Sequence, residues 1–598
     1  MESTATIGKD TVTDTDPKEK VAVLISRVFT SYLSEFLIIT RRAKTTFEQR
    51  DWRGGKRDAA ERLSVYEKVL SQIAVQIEGI LGSNATDRQT WIAIKRIFAP
   101  LIAGKQNEDI AETFFNSVTR TLLKTVGIDR EVEFFHLETK PVAAVLDPPL
   151  YRKFDDHRPT SELIRAILVD HQFNARYEDI DRDIELVANE VDMMTWPFVR
   201  SGNRYSADIL TPCFYRNKVA YIVGRILLGS HIVPMIIPLC NDDSGIHVDS
   251  VLLNEADANN VFGFAYSYFH VEVQVPSDLV AFLRTILPHK PVADLYNALG
   301  FNRHGKTEFY RDLHRFVHVS KKQFVTAPGR EGAVMAVFTL PNYNYVFKVI
   351  KDQPCFLRSA SITDKTINKT EVKQRYKFVT HRDRVGRLVD TQEFENVRFK
   401  AKRYSEQVLH EFEVAARDSV SRHGEYVVIS HLYLQRKVTP LPIFFQEEND
   451  SAVIRQVVID FGYFIKDLAA TGLFPADLFN TWNYGVTEGN RVVLYDYDDV
   501  IPLEHATFRR KPGAMNEYEE MNPEEDWIVA EPTDFFVDEI DSFVGIPYAL
   551  RGIFNSEHKD LFAMGFWENI KARVAEGEII DIIAYGRDRR FRRITREA

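Results

Sequence analysis

Three charged side chains in the second half of the chain follow one another in an order that suits phosphoryl transfer from a nucleotide. Lys348 lies in the apolar run 345–350, whose β-branched and aromatic residues predict a strand. An ammonium group buried in such a strand is costly unless it meets an anion. Asp477 and Asp496 follow, and carboxylates in this order can orient a hydroxyl nucleophile and hold a divalent cation. The three residues therefore predict transfer of a phosphoryl group from ATP.

A glycine-containing segment precedes this strand. Residues 327–333 read Ala-Pro-Gly-Arg-Glu-Gly-Ala and lead into the strand-like run 334–340. Glycines in such a turn let backbone N–H groups approach phosphate oxygens, although an ordinary hairpin turn would show the same residues. We favour phosphate binding because Lys348 follows; the alternative is an edge strand with Lys348 in water. The predicted nucleotide-binding residues are Ala327, Pro328, Gly329, Arg330, Glu331, Gly332, Ala333 and Lys348.

The two aspartates belong to a loop and a hairpin that follow each other closely. A kinase catalytic loop needs one aspartate beside the nucleophile, an amide a few residues later for a metal ion, and a second aspartate after the next short hairpin. Asp477, Asn483 and Asp496 meet this order, and residues 491–495 are a credible strand leading to Asp496. We predict a catalytic role for Asp477 and metal binding by Asn483 and Asp496.

A more familiar kinase tripeptide, Asp-Phe-Gly, occurs at 460–462. In kinases the aspartate of this tripeptide binds the metal and follows the catalytic loop. Here the tripeptide precedes Asp477 and opens a helical pattern. Asp460 is therefore interpreted as a helix N-cap or a structural residue.

The first half of the chain has a different character. Residues 1–20 are polar and acidic, which predicts a disordered lead without a signal peptide. From 21 to about 127 apolar residues recur at helical spacing and predict several amphipathic helices. Between about 129 and 275, β-branched runs indicate that a sheet is added.

The main domain boundary is predicted near residue 320. Beyond it the sequence is β-rich for roughly a hundred residues and then helical with short strands. We therefore expect an α+β protein: a mainly helical domain over 21–320, followed by a bilobal, protein-kinase-like catalytic domain over 321–598. That order of a small sheet-rich lobe and a larger helical lobe is the one expected of a kinase fold.

Composition limits the partners. The formal net charge is -10 and the pI is about 6.0, which argue against general binding to nucleic acid or to an anionic membrane. The three cysteines, Cys213, Cys240 and Cys355, are too scattered for a disulfide framework and fit a reducing cytosol. We expect a cytoplasmic protein whose partners are proteins or small molecules.

An acidic segment near the C-terminus has two interpretations. Residues 516–541 contain eleven Asp or Glu and neither Lys nor Arg, with Trp527, Phe535 and Phe536 among them. It could be a solvated loop. Alternatively, it could dock a partner, with the aromatic side chains anchoring a basic surface.

Several segments in this order resemble one family, the bacterial isocitrate dehydrogenase kinase/phosphatases, which are bifunctional enzymes with an atypical kinase fold. The resemblance extends from about residue 21 to 591. The matching segments are 114–120, 125–128, 327–329, 337–341, 346–352, 381–387, 390–394, 474–477 and 495–498.

The resemblance implies a function. The family phosphorylates a serine in the active site of isocitrate dehydrogenase, which diverts carbon into the glyoxylate bypass, and the same protein reverses the modification. It implies isocitrate dehydrogenase as the partner, ATP or ADP with Mg²⁺ or Mn²⁺, and AMP as an allosteric effector through the N-terminal half. The resemblance leaves open whether the chain forms a homodimer. The rival hypotheses are a nucleotide-sensing pseudokinase that binds a metabolic enzyme without chemistry, and a small-molecule kinase.

The resemblance adds one site residue and leaves one assignment open. Asp390 matches a family residue needed for phosphatase action; without the family it would be a hydrogen-bonded loop carboxylate. The loop after Asp477 has one residue more than the family pattern, so either Asn480 or Asn483 could supply the metal-binding amide. Ala476 replaces an expected glycine, and Asp499 replaces an expected glutamate.

Overall fold

The computed structural model describes residues 16–137, 150–154, 159–263, 268–328, 332–356, 365–366, 368–382, 386–510, 533–542 and 546–591. Helices and strands are mixed. The α-helices are α1 Pro17–Gln49, α2 Trp52–Leu81, α3 Arg88–Ile102, α4 Glu108–Leu123, α5 Thr160–Asp170, α6 Ile180–Val199, α7 Glu255–Val261, α8 Pro276–Ile286, α9 Val292–Ala298, α10 Asn302–Ser320, α11 Lys369–Thr380, α12 Glu406–Ala415, α13 Leu441–Glu447, α14 Ser451–Ala470, α15 Tyr548–Glu557 and α16 Met564–Ala575.

The strands lie mostly between residues 200 and 510. They are β1 Tyr151–Phe154, β2 Ser206–Leu210, β3 Phe214–Arg216, β4 Val219–Leu228, β5 His231–Asp242, β6 Gly245–Val248, β7 His270–Val271, β8 Val325–Thr326, β9 Met335–Thr339, β10 Tyr345–Ile350, β11 Cys355–Phe356, β12 Lys365–Thr366, β13 Thr391–Lys400, β14 Val420–His423, β15 Tyr426–Arg436, β16 Thr439–Pro440, β17 Leu473–Pro475, β18 Tyr484–Val486, β19 Val492–Leu494, β20 Val500–Pro502, β21 Thr507–Arg509 and β22 Asp534–Phe536.

The chain forms two compact units, Met1–Ile39 with Glu61–His136, and Thr40–Ala60 with Leu137–Ala598. The described part of the first unit is helical, as the apolar spacing predicts. Its core is aromatic: the rings of Phe98 and Phe115 lie 4.8 Å apart, and both side chains are fully buried. Burial of such large rings supplies much of the free energy that holds these helices together.

Helix α1 starts earlier than predicted. The prediction of a disordered lead is wrong for residues 17–20, because the helix begins at Pro17. Proline suits the first turn, since its missing N–H would have no intrahelical partner. Residues 1–15 lie outside the described part. By length and composition α1 could cross a membrane. However, Val21 and Ile25 are fully buried, and a core helix of a soluble protein passes the same test.

The first large sheet belongs to the second unit and is antiparallel. Its order is β1-β2-β4-β3-β7, with β5 paired to β4 and β6 to β5. The longest pairing, β4 with β5, runs from Val219↔Cys240 to Leu228↔His231 and turns at Gly229, whose φ of 62° favours glycine. The sheet predicted between 129 and 275 is therefore confirmed.

The second large sheet positions Lys348. Its order is β13-β15-β10-β9-β8, with β14 paired to β15. Lys348 on β10 faces Val337 across one edge and Tyr433 across the other. β10 is thus an interior strand and Lys348 is only 6% exposed. The alternative of an edge strand with Lys348 in water is excluded.

The remainder of the second unit is built around α14. Val457, Phe461, Phe464 and Leu468 recur at helical spacing and are all fully buried. Two short pairings, β17 with β20 and β18 with β19, position the two predicted site aspartates. Asp477 follows β17, and Asp496 lies between β19 and β20. Near residue 320 the chain changes from helix to strand, since α10 ends at Ser320 and β8 begins at Val325.

Candidate active site

Lys348 ends in a buried environment with little charge compensation. Its Nζ donates to the carbonyl oxygen of Tyr495 at 3.0 Å and lies 5.6 Å from the Tyr495 ring. Among the described residues no carboxylate lies within 4.0 Å of Nζ. Burial lowers the pKa of Lys348, and the charges of Asp496 and Asp498 oppose this shift. An ammonium group held in this way is suited to receive an anionic ligand.

Asn483 and Asp496 are brought together through the main chain. The carbonyl oxygen of Asn483 accepts hydrogen bonds from the N–H groups of Tyr495 at 3.1 Å and Asp496 at 3.4 Å. Asn483 belongs to a short 3-10 turn and is 7% exposed. The structure therefore groups Asn483 and Asp496 with Lys348, as the sequence order predicts.

A second carboxylate shares this region. The N–H of Asp498 donates to Oδ1 of Asp496 at 3.3 Å. Burial and the charge of Asp496 raise the pKa of Asp498 well above its ordinary value, while Lys348 acts in the opposite direction. A buried carboxylate whose ionisation is disfavoured beside a second carboxylate creates a site where a divalent cation would be stabilised.

The loop that carries Asp477 is fixed at both ends. Before it, the N–H of Ala476 donates to the carbonyl of Asp499 at 2.8 Å, next to the β17–β20 pairing. After it, the hydroxyl of the fully buried Tyr484 donates to the Leu478 carbonyl at 3.0 Å. Asp477 is therefore held beside the segment 496–499.

The loop also bears on the choice between the two asparagines. The N–H of Asn480 donates to the Asp477 carbonyl at 3.1 Å, and the carbonyl of Asn480 accepts from the N–H of Asn483 at 3.0 Å. Both contacts stay within the loop. Asn483, in contrast, is bonded to the residue that carries the predicted metal-binding carboxylate, which favours Asn483.

The predicted phosphate-binding loop is described only in part. Gly329, Arg330 and Glu331 lie outside the described residues. Ala327 extends the pairing of β8 with β9, because its N–H donates to the Val337 carbonyl at 3.0 Å. A Cβ on Gly332 would lie 2.6 Å from the Met335 carbonyl oxygen, so this position excludes a side chain.

Sequence reasoning missed Tyr376, which lies in α11. Its ring stacks on Tyr433 at 4.7 Å and lies 5.0 Å from Tyr497. Burial, followed by the charges of Asp498 and Asp496, raises its pKa. Protein kinases pair their phosphate-binding lysine with a glutamate from a helix. Here Glu371 closes the N-terminal capping box of α11 instead, a pattern that Asn-Lys-Thr-Glu at 368–371 could have indicated.

Asp390 lies apart from this group. Its Oδ2 accepts from Gln392 at 2.9 Å and from Asn297 at 3.5 Å. The residue lines a cavity together with Lys290 and Arg436, and none of Lys348, Asp477 and Asp496 lines that cavity. Side chains two residues apart share a face of a strand, whereas adjacent side chains are on opposite faces. Thr391 is on the face of the sheet that also carries Lys348, so Asp390 and Gln392 are on the other face.

The cavity beside Asp390 is charged. Arg436 pairs with Asp294, and Lys290 donates to Oδ1 of Asn259 at 2.8 Å. Burial lowers the pKa of Lys290 to about 8, against the charge of Asp294. Only the resemblance singled out Asp390, and the cavity gives it cationic neighbours that no local pattern indicated.

The Asp-Phe-Gly aspartate is structural. Asp460 lies within α14 and is not its N-cap, so that part of the interpretation is wrong; the N-cap is Asp450. Asp460 accepts two hydrogen bonds from Arg387, at 2.6 and 2.8 Å, and one from the N–H of Val492 at 2.7 Å. Arg387 is 3% exposed and also pairs with Asp467 at 2.8 Å. These contacts occupy Asp460 and support the interpretation that it is not a metal ligand.

The glycine of the tripeptide also has a packing role, and this gives a prediction. A Cβ on Gly462 would lie 2.1 Å from Cδ2 of His558, whose Nε2 donates to the Ile459 carbonyl at 2.8 Å. We expect Gly462→Ala to lower the free energy of unfolding by about 1–3 kcal/mol, as overpacking does. Thermal melts should show this loss. Gly552→Ala in α15 is the control, because no atom lies within 4 Å of its Cβ position; equal stability of the two variants would contradict the assignment.

Part of the acidic segment is core. Residues 511–532 lie outside the described part. Phe535 on β22 is 3% exposed, and its ring lies 5.1 Å from Phe474 and 5.9 Å from Trp567. The docking interpretation is therefore wrong for Phe535, because a ring buried in the core cannot anchor a partner.

Two family models match the chain in succession. The model described as isocitrate dehydrogenase kinase/phosphatase (AceK), regulatory domain, matches residues 22–321. The model described as isocitrate dehydrogenase kinase/phosphatase (AceK) kinase domain matches residues 322–587. Together they cover nearly the whole chain and confirm a two-domain architecture.

Relatives named isocitrate dehydrogenase kinase/phosphatase align along almost their full length. One from Anaeromyxobacter sp. strain Fw109-5 is 39% identical over 570 residues, covering 95% of this chain and 97% of the relative. One from Anaeromyxobacter dehalogenans strain 2CP-C is 38% identical over 577 residues, covering 94% and 96%. One from Yersinia enterocolitica is 34% identical over 576 residues, covering 96% and 98%. The chain therefore belongs to the isocitrate dehydrogenase kinase/phosphatase family.

Proposed function

We propose that this chain uses ATP to phosphorylate a serine of isocitrate dehydrogenase and that it also removes this phosphate. The observation that carries the proposal is the grouping of buried Lys348 with Asn483 and Asp496, in a chain whose relatives bear the name of that activity. Such an enzyme controls how much isocitrate is oxidised in the citric acid cycle and how much enters the glyoxylate bypass.

We propose a mainly helical regulatory domain over residues 21–320 and a bilobal, protein-kinase-like domain over 321–598. The support is the order of elements: an antiparallel sheet with α11 is followed by the helical part around α14. Lys348 comes from the sheet, whereas Asp477 and Asp496 come from the helical part. A nucleotide between the two parts would meet groups from both.

Lys348 and the loop 327–333 are proposed to bind the nucleotide. The ammonium group would exchange its bond to the Tyr495 carbonyl for a phosphate oxygen, a stronger partner because it is charged. The free-energy cost of burying the ammonium group is then lower, and the phosphates are held in a fixed orientation. The loop would supply backbone N–H groups from the residues Gly329 to Ala333, because Pro328 has no N–H and the N–H of Ala327 is donated to the Val337 carbonyl.

Asn483 and Asp496 are proposed to hold a divalent cation, Mg²⁺ or Mn²⁺. Their amide and carboxylate oxygens are hard ligands that suit either ion. The neighbouring Asp498 supports this fit, because burial and then the negative charge of Asp496 raise its pKa. When bound, the cation would neutralise charge on the phosphates during transfer.

Asp477 is proposed to orient the substrate serine. The Ala476 N–H donates to the Asp499 carbonyl, so the main chain holds Asp477 beside the segment 496–499. Accepting a hydrogen bond from the serine hydroxyl would direct the oxygen lone pair toward the γ-phosphorus.

Asp390 is proposed to serve the reverse reaction. Its contacts with Asn297 and Gln392 favour a positioning role over direct contact with the phosphoserine. The main chain supports a connection to the site, since the N–H of Val389 donates to the Leu494 carbonyl at 3.0 Å and the Val389 carbonyl accepts from Tyr497. Through these bonds Asp390 would hold the strand end that carries Asp496, while a water attacks the phosphoserine.

AMP is proposed as an allosteric effector that acts through the N-terminal half, and the cytoplasm as the location. Both rest on the family alone. A homodimer is proposed as one assembly of the chain.

The proposal is tested by label transfer. The purified chain, isocitrate dehydrogenase, a divalent cation and γ-labelled ATP should give label on a serine of the dehydrogenase. Isolated labelled dehydrogenase should then lose its phosphate when the chain and a nucleotide are added. Binding of the dehydrogenase without any label would instead identify a nucleotide-sensing pseudokinase.

A further inference from the structure

A second group of potential metal ligands lies on the sheet that carries Lys348. Glu393 and Glu395 are on β13, and His431 is on β15. The antiparallel register places Glu395 directly opposite His431. Because side chains two residues apart share a face, all three side chains are on one face of the sheet. One ligand atom from each lies within 4.8 Å of the other two.

His431 has the environment of a ligand that lacks its partner. It is 6% exposed, yet neither ring nitrogen has a hydrogen-bond partner among the described residues. Nδ1 lies 3.2 Å from Oε1 of Glu393 without hydrogen-bond geometry. A buried polar group left in this state normally costs free energy, so its presence calls for an explanation.

The surroundings of the imidazole favour its neutral form. Burial, followed by the charges of Lys373 and Lys306, lowers the pKa of His431 to about 3. A neutral ring keeps a lone pair for a metal ion, whereas a protonated ring could not coordinate one. The two lysines oppose a cation, but the two exposed carboxylates beside the ring carry two negative charges.

We propose that Glu393, Glu395 and His431 bind a divalent transition-metal ion such as Zn²⁺. One imidazole nitrogen with two carboxylates suits zinc and its first-row neighbours better than Mg²⁺, which prefers oxygen ligands. Both glutamates are exposed and can move toward ligand distances of about 2.0–2.2 Å. Water would complete the coordination.

This metal site is distinct from the one proposed at Asn483 and Asp496. Tyr433 on β15 pairs with Lys348 on β10 and with Glu393 on β13, so it lies between these two residues in the sheet. A metal ion on the Glu393 side would clamp β13 to β15. We expect it to raise the thermal stability of the chain without being required for phosphoryl transfer.

Zn²⁺ titration of the metal-stripped full-length chain, in competition with a chromophoric chelator, tests the site. Wild type should bind Zn²⁺ and melt at a higher temperature with it. His431→Ala and Glu395→Gln should each weaken this binding by at least about tenfold, the low end of what loss of an outer-shell partner causes. His423→Ala is the matched control, since His423 lies exposed on β14 beside Ser421.

Cys240, His247 and Asp249 are also within ligand distance of one another and could compete for Zn²⁺. Asp249 is already bonded to Arg590 and Tyr585, so we expect Cys240→Ser to leave the titration unchanged. Glu395→Gln, a change on the surface, keeps the test valid if His431→Ala does not fold. The proposal is overturned if wild type binds no Zn²⁺, or if Glu395→Gln binds it as tightly as wild type does.

Discussion

Lys348→Met is expected to abolish phosphorylation and dephosphorylation of isocitrate dehydrogenase while the chain remains folded. Methionine fills the buried strand position but cannot pair with phosphates, and loss of such an electrostatic contact costs at least about 10²–10³ in rate. Stability should change by only about 1 kcal/mol, because Nζ donates to the main-chain carbonyl of Tyr495 and no carboxylate in the described part of the chain loses an ion pair.

The measurement compares label transfer and thermal melting for wild type, Lys348→Met and Lys377→Met. Lys377 is an exposed lysine of α11 and serves as the matched control. Phosphorylation at the wild-type rate by Lys348→Met would remove Lys348 from the site. A melting temperature far below that of wild type would mean that the ammonium group has a structural role.

The second large expected effect distinguishes the catalytic role of Asp496 from the structural role of Asp460. Asp496→Asn should reduce phosphoryl transfer by about 10²–10³-fold with little loss of stability, since it removes the negative charge that, after burial, raises the pKa of Asp498. Asp460→Asn should instead lower the free energy of unfolding by about 3 kcal/mol, because the buried Arg387 loses one of its two carboxylates.

Rates should be compared per folded molecule, with the folded fraction taken from the melting curves. The folded fraction of Asp460→Asn should still transfer phosphate in the presence of Mg²⁺ or Mn²⁺. A stable but inactive Asp460→Asn, beside an active Asp496→Asn, would assign the metal to the Asp-Phe-Gly tripeptide instead.

Local sequence was sufficient for much of the site. The run around Lys348 predicts a buried strand because its periodicity and its β-branched residues are local properties. Asp477, Asn483 and Asp496 are separated by short turns, so their proximity follows from one loop and one hairpin. The rejection of Asp460 as a metal ligand rested on order along the chain, and the contacts with Arg387 support it.

Other features depend on residues that are distant in sequence. Arg387 meets Asp460 and Asp467, and Gly462 makes room for His558, but no periodicity relates these positions. The cavity beside Asp390 likewise joins residues from several separate segments. Tertiary packing decides such contacts. The N-cap interpretation of Asp460 failed for another reason: the helical pattern was predicted to open at the tripeptide, whereas α14 begins at Ser451 with Asp450 as its N-cap.

The metal position in the nucleotide complex tests the central claim most directly. A crystal structure of the chain with Mn²⁺ and a non-hydrolysable ATP analogue would locate the ion by its anomalous signal. We predict Mn²⁺ within about 2.2 Å of side-chain oxygens of Asn483 and Asp496, with Lys348 on the phosphates and Asp460 still paired with Arg387. An ion bound to Asp460, or phosphates out of reach of Lys348, would contradict the account.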